Sequence, residues 1–146
     1  MNTVRKATET DAGILGTLAC LLWPDHTPEE MEEEFAAMLS KPDAAVFLAE
    51  AEGEPIGFAQ CQLRNDYVEG TSSTPVGYLE GIFVAPAYQK RGIARALLAA
   101  CENWARMRGC SEFASDCELT NSDSLLFHLN VGFEEANRII CFTKKL

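Results

Sequence analysis

The chain is short of positive charge. Twelve Lys and Arg stand against 22 Asp and Glu, for a formal net charge of −10. Nucleic acid is excluded as a partner, because its phosphates would be repelled; a cationic partner is compatible. Nor is there a Cys-x-x-Cys pair among the six cysteines, which lie mostly inside apolar runs. A disulfide framework is therefore not expected, and neither is a metal site. The first residues, Met1-Asn2-Thr3-Val4-Arg5, show no signal-peptide pattern, so the expectation is a reduced, cytoplasmic chain. No apolar run approaches the roughly 20 residues that span a bilayer. Internal repeats, low-complexity tracts and linkers are missing too, and residues 1–146 fit one domain with a core of its own. Two phosphate-binding signatures are also absent: the P-loop with its Lys-Ser/Thr pair, and the Gly-x-Gly-x-x-Gly of dinucleotide folds.

What is there is organised around residues 78–94, Tyr-Leu-Glu-Gly-Ile-Phe-Val-Ala-Pro-Ala-Tyr-Gln-Lys-Arg-Gly-Ile-Ala. The stretch reads as a strand, a loop marked by Pro86, and the opening of a helix. Gly81 in mid-strand signals a bulge, or a close approach by another group. The loop ends in Gln89-Lys90-Arg91-Gly92-Ile93-Ala94. Amides at a helix start have no internal partner and carry partial positive charge. Small residues there let an anion such as a pyrophosphate approach, with Lys90 and Arg91 adding charge.

Strands are expected at Thr3–Ala7, Ala44–Glu50, Ile56–Asn65, Gly77–Val84, Glu112–Asp116 and, as one or two strands, Phe133–Lys144. Helices are expected at Asp11–Leu22, from Thr27-Pro28-Glu29-Glu30 onward, from Gly92 to Gly109, and at Ser122–Asn130. Ile14, Leu15, Leu18, Ala19 and Leu22 mark the buried stripe of the first helix, and Met31, Phe35, Met38 and Leu39 that of the second. The order is β-α-α-β-β-β-α-β-α-β: an α/β fold, with a mixed, mostly antiparallel sheet flanked by helices. Crossovers through mid-chain helices imply parallel neighbours, and the hairpins antiparallel ones.

This succession resembles the GNAT superfamily of N-acetyltransferases, and in detail the bacterial aminoglycoside 6'-N-acetyltransferases. The residues carrying the resemblance are Leu22-Trp23-Pro24-Asp25-His26, Asp66-Tyr67-Val68-Glu69-Gly70, Ser73-Thr74-Pro75-Val76, Leu79-Glu80-Gly81-Ile82-Phe83-Val84, Gln89 through Ala94, Phe113-Ala114-Ser115-Asp116 and Asn121 through Phe133. It implies that acetyl-coenzyme A lies against Ile82, Phe83, Val84, Gln89, Lys90, Arg91, Gly92, Ile93, Ala94 and Asn121. Its pantetheine arm would lie where the central strand and the next splay apart. A homodimer formed through C-terminal strands is also implied. Two positions depart from the family's pattern. His128 stands where many members carry a Tyr that protonates the departing thiolate. Asn137 stands where an acidic residue is expected.

Acetyl transfer to an amine needs a neutral nitrogen, stabilisation of the thioester oxygen, and in some cases a proton for the thiolate. No covalent enzyme intermediate is required. Glu80, a carboxylate in an apolar strand, either faces solvent or binds the substrate ammonium and accepts its proton. Asp116, at a strand end, is a turn residue or a second ammonium site. Trp23 and Tyr67 suit a sugar ring bearing ammonium groups, or are simply half-buried loop aromatics. His26, beside Pro and Asp, is a further substrate-side candidate or a loop or cap residue. His128 is a general acid or a packing residue, and Asn121 a pantetheine contact, a helix cap, or both. Glu29–Glu34 is a solvated acidic face or a guide for a polycation. The leading function is acetyl transfer to the 6'-amine of an aminoglycoside by direct attack in a ternary complex, with antibiotic resistance as its consequence. The alternatives are an acetyltransferase for another amine (a polyamine or protein N-terminus) and a coenzyme A-binding module without catalysis.

Overall fold

The computed structural model describes residues 1–146. In chain order the elements are β1 (Asn2–Lys6), α1 (Ala12–Leu22), α2 (Pro28–Leu39), β2 (Ala44–Ala51), β3 (Glu54–Arg64), β4 (Val76–Val84), α3 (Ile93–Met107), β5 (Phe113–Ser115) and α4 (Ser122–Asn130). The sheet runs β1-β2-β3-β4-β5. All neighbours are antiparallel except β4 and β5, which are parallel and joined through α3. The expectation of parallel neighbours thus holds at one helical crossover. β1 and β2 are also separated by helices, but two helices in succession return the chain in the antiparallel sense.

Each face of the sheet has its own core. Leu97, Leu98, Cys101, Trp104 and Ala105 of α3 pack on one face against Ala59, Cys61, Leu79 and Val84. Leu15, Leu18 and Ala19 of α1, with Met31 and Phe35 of α2, pack on the other against Val46, Leu48 and Phe58. The expected stripes are therefore real, save that Ile14 is exposed. Capping also follows the sequence: Thr27 Oγ1 accepts the Glu30 N–H at 3.2 Å, with Pro28 opening α2. Asn121 Oδ1 accepts the Ser124 N–H at 3.1 Å at the start of α4.

Beyond α4 the expectation fails. No strand forms in residues 133–146, and Ile139, Ile140 and Phe142 are 72%, 81% and 90% exposed. The segment has strand-like composition, but composition supplies no partner. Both edges of β4 are already engaged at its N-terminal half, by β3 and β5.

The one buried charge lies at the start of α1. Asp11, 5% exposed, receives a fork from Arg5, with Nη1–Oδ2 at 2.8 Å and Nη2–Oδ1 at 2.9 Å, and the Thr8 N–H at 2.8 Å. The guanidinium holds the Asp11 carboxyl down to about 2, from 3.8. The unfolded chain takes up this proton near pH 3.8, and the folded chain only near 2. Stability from this group is therefore complete above the higher value and lost as pH falls through the lower. The difference is worth about 2 kcal/mol. Urea melts of wild type and Asp11→Asn at pH 7 and pH 2 should show the wild type losing about 2 kcal/mol more on acidification. Equal losses would count against the ion pair.

Candidate active site

The site begins with an irregularity in β4. Gln60 pairs with Gly81 and Cys61 with Leu79, so Glu80 is the extra residue of a β-bulge. Strand residues normally alternate between faces. Here Leu79 and Ile82 turn to the α3 side, whereas Glu80 and Gly81 both turn to the α1–α2 side. Gly81 is required there for a second reason. A Cβ on it would lie 2.7 Å from Cη2 of Trp23, so only a hydrogen lets the indole rest on the strand. Both readings of Gly81, bulge and close approach, are realised together.

The bulge delivers Glu80 into a cavity of about 270 Å³ lined by Trp23, His26, Met31, Glu34, Phe35, Met38, Gln60 and Glu80. Trp23 and His26 come from the α1–α2 connection, and Glu34 from α2. Of the acidic run Glu29–Glu34, only Glu34 reaches this cavity; Glu29, Glu30, Glu32 and Glu33 border a separate, open surface depression. His26 Nδ1 is 3.4 Å from Glu30 Oε2 at the rim.

Glu80 is not free. Arg64, the last residue of β3, places Nη2 3.1 and 3.0 Å from its two carboxylate oxygens and Nε 3.2 Å from Oε2. The same guanidinium lies flat over the Tyr78 ring, 3.5 Å from its centroid. The Tyr78 hydroxyl donates to Asp116. Burial, and then the Asp116 carboxylate, push the Tyr78 phenol well above its ordinary range, so it keeps its proton and donates. Glu80 and Asp116 therefore belong to one network, through Arg64 and Tyr78. Neither connecting residue was singled out from the sequence. The signal was the alternation Phe58, Gln60, Gln62, Arg64 along β3, which turns polar on the side where Glu80 lies.

Tyr67 stands apart from this cavity. It is 78% exposed, and its hydroxyl donates to Glu69 Oε2 at 3.3 Å. Asn137 donates to the other oxygen of Glu69 at 3.1 Å, so it has an acidic neighbour.

Pairing of β4 with β5 covers only Gly77–Phe113, Tyr78–Ala114 and Leu79–Ser115. From Glu80 to Val84 that edge of β4 has no strand partner, while β3 occupies the other edge. The expected splay is present, and it starts at the bulge. His128 borders it from α4. Its Nδ1 donates to Ser124 O at 2.7 Å, leaving Nε2 to accept from the Ser115 hydroxyl at 2.8 Å. Its ring centroid is 5.0 Å from that of Phe133. Such fixed bonding and packing favour the structural of the two readings of His128. His128→Ala should lower the melting temperature but leave turnover per folded enzyme near wild type. A turnover loss of about a hundredfold at unchanged melting temperature would make it the general acid.

Past β4, Gln89 Nε2 donates to Val84 O at 3.0 Å and closes the loop onto the strand. Lys90 and Gly92 adopt φ of 62° and 83°. This left-handed backbone turns the chain into α3, and a Cβ on Gly92 would meet nothing within 4 Å. The space above the first amides of α3 is therefore open, with the side chains of Lys90 and Arg91 exposed beside it. Ile93 is buried beneath. Of the six cysteines, all free, Cys61, Cys101 and Cys110 are buried, whereas Cys117 and Cys141 are exposed.

A splayed mixed sheet, a bulged acid strand and a glycine-headed helix are the marks of an acyltransferase fold, and the family model for the acetyltransferase (GNAT) family matches residues 15–133. The chain belongs to that family. Among curated relatives, it is 45% identical over 145 residues (99% of this chain, 94% of the relative) to an aminoglycoside N(6')-acetyltransferase type 1 of Stenotrophomonas maltophilia. It is 42% identical over 147 residues (98% and 96%) to one from Klebsiella aerogenes. Among solved structures it is similar to AAC(6')-Iy in complex with the bisubstrate analog CoA-S-monomethyl-acetylneamine. That match has a TM-score of 0.95 and 38% identity, and covers 100% of this chain and 99% of the other.

Proposed function

We propose that this chain transfers the acetyl group of acetyl-coenzyme A to the 6'-amine of aminoglycosides, and that antibiotic resistance is the outcome in the cell. The observation that carries the reading is the position of Glu80. It projects from the bulge into the Trp23–His26–Glu34 cavity at the point where the free edge of β4 begins. A donor laid along that edge and an amine in the cavity would meet there. The near full-length similarity to N(6')-acetyltransferases supports the same choice of substrate.

In this reading the amines of the substrate are held by Glu80, Glu34 and Asp116, and its sugar rings by Trp23, with His26 at the rim and Tyr67 as an outer ring contact. Glu80, directly or through water, takes the proton that the attacking amine must shed. A new C–N bond forms, the C–S bond breaks, and the electron pair leaves on sulfur. A backbone N–H near Phe83 or Val84 stabilises charge developing on the thioester oxygen. The residues present fit the donor. The open edge of Ile82, Phe83 and Val84 can pair with pantetheine amides, Asn121 adds a polar side chain at the start of α4, and the amides from Gln89 to Ala94 face open space suited to pyrophosphate.

Release of thiol from acetyl-coenzyme A, screened over aminoglycosides, polyamines and peptide N-termini, tests the reading. Release with aminoglycosides alone is expected. Release only with the other amines, or none at all, would favour the alternatives. Gly92→Val should also lower acetyl-coenzyme A affinity by tenfold or more, on the order of the 1.4 kcal/mol that a tenfold change represents. Strain at its positive φ adds about 1–3 kcal/mol of destabilisation. Calorimetry finding wild-type affinity in a folded variant would remove the pyrophosphate assignment.

Two further features belong to the proposal. The chain works as one unit over residues 1–146, in the cytoplasm, which suits six free thiols. No helix is long and apolar enough to cross a membrane. It acts as a homodimer, each C-terminal segment covering its exposed Ile139, Ile140 and Phe142 against the partner.

A further inference from the structure

Glu80 touches a cation before any substrate arrives. Arg64 reaches both of its oxygens through Nη2 and one through Nε, at 3.0–3.2 Å, and its plane is clamped on Tyr78 at 3.5 Å. Tyr78 is in turn fixed by its hydrogen bond to Asp116. The guanidinium is held on two sides, by Glu80 and by Tyr78, while Arg64 itself is part-exposed at a strand end and belongs to neither of the two cores that cover the sheet faces.

We propose that Arg64 is the positioning residue of the site: it fixes the orientation of the Glu80 carboxylate for proton transfer, at the expense of attraction for the substrate. The inference rests on the reading of Glu80 as the amine-facing acid. Two opposed effects follow from one contact. A carboxylate has about four lone-pair directions, and a planar fork occupies those on one side, leaving the others aimed in a defined direction. A side chain at the bulge without that fork would sample several rotamers, and proton transfer depends steeply on placement. On the other hand, Glu80 and Asp116 carry two negative charges and Arg64 returns one positive charge. The network thus pulls an ammonium less strongly than the two acids would alone. Removing the guanidinium should therefore strengthen binding of a cation and weaken turnover. A merely structural residue would not split the two.

The test uses the full chain at saturating acetyl-coenzyme A, with an aminoglycoside bearing a 6'-amine, and reads kcat and KM separately. In Arg64→Met, kcat should fall about tenfold while KM stays at or below the wild-type value. In Arg64→Lys, which restores the charge but neither the fork nor the flat stacking, KM should return to wild type and kcat should stay low. Thermal unfolding and acetyl-coenzyme A affinity serve as controls. If Arg64→Met does not fold, Arg64→Lys alone decides, because the proposal requires a low kcat there. A kcat within about threefold of wild type in the deciding variant, or a raised KM in Arg64→Met, overturns the proposal. Glu80→Gln run in parallel separates the two levels. Normal turnover in Glu80→Gln removes the reading of Glu80 and this inference with it. Impaired Glu80→Gln beside normal Arg64 variants removes only the role of Arg64.

Discussion

An aminoglycoside with a hydroxyl in place of its 6'-amine is expected not to be acetylated at all. The site offers Glu80 as its one acid at the free edge of β4, with Trp23 and His26 bounding the cavity around it. A neutral hydroxyl is a much poorer nucleophile than a neutral amine. An amine needs only to lose its extra proton, and once neutral it attacks unaided. Turnover on the parent compound should accordingly rise with pH until the amine is mostly neutral. Mass spectrometry of the product, with thiol release as the rate, checks both statements. Acetylation of the analogue at another amine, at a rate like that of the parent, would refute the 6' assignment and leave an acetyltransferase of different regiochemistry.

The second large effect is expected at the two carboxylates. Losing one charge-assisted contact costs about 1.5–3 kcal/mol, or roughly ten- to a hundredfold in kcat/KM. Glu80→Gln and Asp116→Asn should each fall in that range, with acetyl-coenzyme A affinity barely changed. The structure ranks the two. Glu80 lines the cavity itself, while Asp116 is already engaged by the Tyr78 hydroxyl. Glu80→Gln should therefore sit at the upper end. Asp116→Asn should sit at the lower, because an amide oxygen can still accept from Tyr78. The two variants should also fail to add in combination, since Arg64 and Tyr78 join them in one network. Additive losses in the double variant, measured as kcat/KM, would show the acids to act independently.

Much of this was legible beforehand, and the reason is local. The Gln-x-x-Gly-x-Ala turn, the caps at Thr27 and Asn121, and the stop at Gly109 are decided by residues a few positions apart, and they appear where expected. Gly81 announced a bulge because a glycine inside an apolar strand has few other reasons to be there. What could not be read was pairing at a distance. Whether Glu80 or its neighbour faces the Trp23 cavity depends on the register against Gln60 and Cys61, fixed only when β3 and β4 meet. Arg64 and Tyr78 entered the site through that same register. Tyr67 belongs to the motif that carried the resemblance, yet its ring stays outside the cavity, since a loop motif does not state its direction. The C-terminal strand does not form, because apolar, β-prone residues reveal a need for a partner without saying which chain provides it.

The bulge also means that β4 is written in two reading frames. From Val76 to Leu79, Gly77 and Leu79 address α3; after Glu80, the phase shifts and Ile82 and Val84 do. Deleting any one residue between Tyr78 and Gly81 would restore uniform alternation. It would leave either the acid or the seat of Trp23 without its place on the α1–α2 side. A deletion here should thus disrupt the cavity, though the resulting strand would look more regular than the native one. Insertions in the loop of residues 65–75 change no phase. Length variation in descendants of this chain should gather in that loop and spare the strand.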